Sequence, residues 1–95
     1  MTTINDAETI ARRHLADLEK DAGDLLQLTK IQEEPFGWVF FYQSKEYIET
    51  GSISSMLAGN APFIVDRTTG KLQVLGTGYS ADVYIKDYAR LHTQP

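Results

Sequence analysis

The run Trp38-Val39-Phe40-Phe41-Tyr42-Gln43-Ser44 limits what this chain can fold into more than any other stretch. Aromatic and β-branched side chains suit an extended, pleated backbone. Alternation sends Trp38, Phe40 and Tyr42 to one side and Val39 and Phe41 to the other. A strand that is apolar on both faces belongs in the middle of a sheet and has to be covered twice. The chain has 95 residues, read as one domain spanning 1–95. A domain of that size buries roughly 60–65% of its unfolded surface, enough for one core and little for a deep pocket.

The rest of the chain supplies partners for that strand. Residues 5–21 read as an amphipathic helix whose stripe is Ala7, Ile10, Ala11, Leu15 and Leu18, with His14 beside it. Asn5 is the expected cap, Glu8 stands at the capping-box position and pairs with Arg12 outside the stripe, and Gly23 ends the helix. Residues 25–33 read as a strand in which Leu26 and Leu28 share a face and Ile31 breaks the alternation, which predicts a bulge or a change of face. Pro35-Phe36-Gly37 marks a turn. After the central strand, Ser52 is expected to cap a short helical turn with Ile53, Met56 and Leu57 on one face and Gly59 as its stop, covering the sheet.

Pro62-Phe63-Ile64-Val65-Asp66 and Lys71-Leu72-Gln73-Val74-Leu75 flank Arg67-Thr68-Thr69-Gly70 as a hairpin. Ser80 then opens a helix over 81–91 with Ala81, Tyr84, Ile85, Tyr88 and Leu91 as its buried stripe and Asp82 and Lys86 paired outside. The order α-β-β-(short α)-β-β-α predicts an α+β fold, an antiparallel sheet of about four strands packed by the N- and C-terminal helices.

Composition excludes several kinds of chemistry. Without cysteine there is no disulfide, no thiolate nucleophile and no cysteine-ligated metal site. No apolar run approaches the roughly 20 residues that span a bilayer, and Met1 to Asp6 lacks a leader pattern, so the chain reads as cytoplasmic with no membrane partner. A net charge of −4 with scattered basic residues argues against nucleic acid. Gly76-Thr77-Gly78-Tyr79-Ser80-Ala81 fits G-x-G-x-x-G/A, yet no second parallel strand and no acidic residue follow at the distance a dinucleotide site needs. It reads as a strand-to-helix turn. His14 and His92 lack metal-site spacing and read as structural, His92 at a helix C-terminus. No serine sits in a nucleophile elbow, and the pairs Glu33-Glu34 and Glu46/Glu49 lie in polar surroundings expected to be solvated, without the desolvated pocket a general acid needs. The expectation is no catalytic residue, cofactor, metal or small-molecule substrate.

From Trp38 onward a longer pattern emerges. Trp38 to Ser44, Tyr47-Ile48-Glu49-Thr50-Gly51, Leu57-Ala58-Gly59-Asn60-Ala61-Pro62-Phe63-Ile64-Val65-Asp66, Thr69-Gly70, Leu75-Gly76-Thr77 and Tyr84-Ile85-Lys86-Asp87-Tyr88 follow in an order and spacing that resembles the immunity protein 35 family, also called YrhB-like. The resemblance is detailed over 37–88 and covers the first helix in outline. It implies a small α+β protein that protects a toxin-producing bacterium by binding the toxin directly and stoichiometrically, as in polymorphic-toxin systems. A YrhB-like relative is described instead as a heat-stable chaperone, so a general holdase is the alternative it implies. No catalytic residue comes with the resemblance.

The shared residues have structural readings. Gly59 and Gly70 suit turns at positive φ, Pro62 a strand start, and Asp66 the amides of its own hairpin loop. Trp38 is expected in the core, and Asn60, Gly76, Tyr84 and Tyr88 complete this set. Partner contacts are expected elsewhere, on exposed acids flanking an aromatic: Glu33, Glu34 and Phe36 in one turn, and Glu46, Tyr47 and Glu49 after the central strand.

Overall fold

In the computed structural model, which describes residues 2–52 and 61–92, both covers of the central strand are helices from opposite ends of the chain. The elements are α1 (Ile4–Ala22), β1 (Leu26–Glu34), β2 (Gly37–Ser44), α2 (Lys45–Thr50), β3 (Phe63–Asp66), β4 (Leu72–Val74) and α3 (Ala81–His92). The strands pair antiparallel in the order β1-β2-β3-β4, giving the expected α+β architecture.

β2 and β3 are the inner strands. On one face Trp38, Phe40, Phe63 and Val65 pack under Ala7, Ala11 and Leu15 of α1, with Ile10 and Leu18 at the margin. The Phe40 and Phe63 rings stack with centroids 5.4 Å apart. On the other face Val39, Ile64 and Leu75 pack with Phe36 under Ile85 and Tyr88 of α3. The second cover is α3, so the N- and C-terminal helices pack on the sheet as expected; the turn expected to help cover it, over Ile53, Met56 and Leu57, lies outside the described residues. Burying one such large apolar side chain contributes about 1.5–3 kcal/mol, so two filled faces dominate the stability of a domain this small.

Local details correct the sequence reading at several points. The N-cap of α1 is Thr3, not Asn5: the Thr3 hydroxyl accepts from the Asp6 amide at 3.1 Å, and the Asp6 carboxylate accepts from the Thr3 amide at 3.2 Å. That reciprocal pair satisfies two free helix-end donors, and the Thr2 amide, bonded to the Arg67 carbonyl, sets where the chain enters. Glu8 instead meets Arg12 one turn on, as expected. Gly23 closes the helix at φ 75. The irregularity near Ile31 is a bulge between Leu28 and Lys30.

A short helix, α2, follows β2 directly. The Ser44 hydroxyl caps α2 by accepting from the Tyr47 amide at 3.3 Å, and Gly51 ends it at φ 71. The turn expected over Ile53, Met56 and Leu57, with Gly59 and Asn60, lies outside the described residues. In α3 Ile85 and Tyr88 are buried against the sheet, with Ala81, Tyr84 and Ala89 partly buried beside them. Leu91 is 70% exposed, which corrects its place in the buried stripe.

Gly37 has a tertiary reason to be glycine. It lies opposite Asp66 at φ 151, and any Cβ would collide with the Val65 carbonyl oxygen. Trp38, next along β2, is 3% exposed. Trp38→Ala is expected to cost roughly 3–5 kcal/mol, a large share of the total for a domain this size, and to shift the urea midpoint accordingly. A native-like midpoint would place Trp38 outside the core.

Candidate partner-binding surface

The two acidic segments singled out from sequence lie at opposite ends of β2. The Glu33–Phe36 turn leads into its first residue, and the Glu46–Glu49 segment follows its last. Seven strand steps of roughly 3.3 Å separate those ends by about 23 Å. The structure gives two candidate surfaces where the sequence suggested one set of residues.

At the first end the acids already have partners. The Arg67 guanidinium donates to the Glu33 carboxylate at 3.0 Å and to the Glu34 carbonyl at 2.9 Å, and lies 4.5 Å over the Trp38 ring. The Arg67 amide donates to the Phe36 carbonyl at 2.7 Å. Glu34 also accepts from the Gln32 side-chain amide at 2.9 Å. Arg67 thus clamps the β1–β2 turn onto the end of β3, a role the sequence did not reveal because its partners are 33 and 34 residues away.

Phe36 is not the exposed anchor it was expected to be. Only 4% of it is accessible, with its ring 4.8 Å from that of Tyr88 on α3. The space between turn and helix rewards an aromatic that folds inward, and the exposed parts of this turn are Glu33 and Pro35.

At the second end Glu46 and Glu49 are exposed on α2, and Tyr47 is half-buried. Glu49 lies 3.9 Å from the Lys45 amine, one turn away. α2 is fastened to the loop after α1 by the Lys45 amide, which donates to the Leu25 carbonyl at 2.9 Å. Leu25, read from sequence as the first residue of a strand, is instead 61% exposed beside these acids.

The described motif residues hold the fold together. Asp66 Oδ1 accepts from the amides of Thr68 and Thr69 at 2.8 and 3.0 Å, closing the hairpin loop as expected, and Gly70 completes it at φ 72. Asp66 Oδ2 accepts from the Tyr88 hydroxyl at 2.8 Å, a buried bond that ties α3 to the sheet. The Pro62 carbonyl accepts from the Leu75 amide just ahead of β3. Gly76 lies against the Tyr84 ring, which leaves no room for a Cβ, and the Tyr84 hydroxyl accepts from the Gly78 amide at 3.1 Å. The glycine-rich turn is thus filled by a side chain of its own helix.

His14 is half-buried and His92 is exposed, and each makes an aromatic contact. His14 meets Phe63 edge-on at 4.7 Å, and burial lowers its pKa against the opposing charge of Asp17. His92 stacks on Tyr88 at 3.8 Å, with Nδ1 3.0 Å from the Tyr88 carbonyl in the last turn of α3. Among the described residues no group of three or more His, Asp or Glu side chains is placed to hold a metal ion, and no helix is long and apolar enough to cross a membrane.

A family model described as Immunity protein 35 matches residues 5–86. The uncharacterized protein YrhB of Escherichia coli (strain K12) is 36% identical over 88 residues, which cover 93% of this chain and 89% of that protein. No solved structure matches the chain.

The Asp66–Tyr88 bond has a consequence for pH. Burial alone raises the Asp66 pKa, but hydrogen bonds from Thr69, Tyr88 and Thr68 outweigh it and hold the carboxyl below its ordinary 3.8. Burial, then the bond to Asp66 and its charge, push Tyr88 up to about 12. A lowered carboxylate stabilises the fold above its ordinary value, and that contribution is lost as pH falls below 3.8. A raised phenol stabilises below 10.0, and that contribution is lost as pH climbs through about 12. Tyr88→Phe keeps the ring and removes one bond to a buried charge, so it should cost about 1.5–3 kcal/mol at neutral pH. Urea unfolding across pH checks this: the variant should lose stability less steeply than the native chain at alkaline pH, and parallel curves there would contradict the assignment.

Proposed function

We propose a function from one premise: the chain belongs to the immunity protein 35 family. It acts as an immunity protein, neutralising a toxin made by the same bacterium through direct, stoichiometric binding in the cytoplasm. The single observation that carries this reading is the extent of the family match. Residues 5–86 include all four strands, α1 and the sheet-facing start of α3, so the likeness spans both filled faces of the sheet.

The packing supports a role exercised from the surface and without catalysis. Trp38, Asp66, Gly70, Gly76, Tyr84 and Tyr88 are spent on the core, the hairpin and the α3 tether. Partner recognition then falls to exposed side chains. Inhibitor interfaces of this kind bury about 800 Å² on each partner.

The test is a titration of the purified chain with the toxin domain encoded beside its own gene. The expected result is a 1:1 complex, together with protection of cells that co-express both proteins. Protection without a complex would contradict the reading. Suppression of aggregation in several unrelated clients, with no preference for the toxin, would favour a general chaperone in its place.

A further inference from the structure

The C-terminus of α1, the loop that follows it and α2 enclose an open cleft of about 420 Å³, lined among others by Asp24, Leu25, Lys45, Glu46 and Glu49. Its central feature is Leu25, an apolar side chain left 61% exposed on a backbone fixed from three directions. Gly23 closes α1 at φ 75 just before it, its own carbonyl accepts from the Lys45 amide at 2.9 Å, and the following amide, Leu26, donates to the Glu19 carboxylate at 2.7 Å. An exposed anchor on a backbone already ordered loses little freedom when a partner covers it.

The charge around this anchor is one-sided. Asp24, Glu46 and Glu49 line the cleft against a single ammonium, Lys45, which lies 3.9 Å from Glu49. The C-terminal end of α1 adds the negative end of its helix dipole, which Lys20 in the last turn partly answers. The chain as a whole carries −4. An apolar anchor inside a negative rim complements a positive surface with an apolar side chain at its centre.

We propose that this cleft is the docking surface for a basic partner protein, whose arginine or lysine enters between Asp24 and Glu49 while an adjacent apolar side chain packs on Leu25. The inference rests on the immunity-protein reading and deepens it by naming the chemistry the toxin presents at the contact. Rim charge acts mainly on encounter, and a buried apolar anchor acts mainly on residence time.

Binding kinetics of the full chain with the toxin domain encoded beside its gene, at low and high salt, test the cleft. Asp24→Lys with Glu49→Lys should slow association about tenfold or more at low salt and much less at high salt. Leu25→Ala should speed dissociation by about tenfold with little change in association. Glu33→Lys with Glu34→Lys makes the same charge change at the opposite end of β2 and should leave both rates near native. Thermal melts should stay near native in the two cleft variants, whose altered side chains are exposed. The Glu33 and Glu34 pair gives up the Arg67 contact, should melt lower, and is compared below its own midpoint. Native kinetics in the cleft variants, or equal slowing in both charge-reversed pairs, would overturn the cleft and leave the immunity-protein reading standing. Failure of the native chain to bind the toxin would overturn both.

Discussion

Everything in this protein follows from two adjacent strands that are buried on both faces. Trp38, Phe40, Phe63 and Val65 face α1, while Val39 and Ile64 face α3. Neither strand gains its burial energy unless both helices dock, and the two helices come from opposite ends of the chain. Folding of this sheet therefore couples the N-terminal and C-terminal segments through one layer of side chains. Close approach within that layer is strict enough that Gly37 has no room for a side chain against β3.

Two polar devices hold the layers in register at the same edge of the sheet. Asp66 uses one carboxylate oxygen for its own hairpin loop and the other for Tyr88, so a single buried charge fixes a turn and a helix together. Arg67, the next residue, clamps the β1–β2 turn through Glu33 and the Glu34 and Phe36 backbone. A buried carboxylate is tolerable here because its hydrogen bonds replace those lost to burial. Asp66 and Arg67 thus each have a structural cause.

The arrangement also divides labour between interior and surface. Both faces of the sheet are committed to the fold, which leaves the exposed side chains at the two ends of β2 to compare. The ends differ in kind. At the Glu33 turn the acids are partly answered by Arg67 and the aromatic is withdrawn into the core. At the α2 end the acids outnumber the single lysine and an apolar side chain stands out among them.

What the sequence by itself determined is the set of features with a local physical signature. Period-two alternation in Trp38–Ser44 specified an inner strand, helical spacing of Ala7, Ala11 and Leu15 specified the α1 face, and the Thr69-Gly70 turn with Asp66 specified the hairpin. The bulge near Ile31 and the structural placement of His14 were legible for the same reason. Capping was less so: Thr3 and Asn5 both suit an N-cap, and the choice depended on Thr2 meeting Arg67 across the fold. Only the tertiary structure decided that Phe36 is core, that Leu91 and Leu25 are exposed and that Arg67 holds the β1–β2 turn. Each of those outcomes depends on atoms tens of residues away in the chain, and contacts of that range leave no period or spacing in the sequence from which to read them.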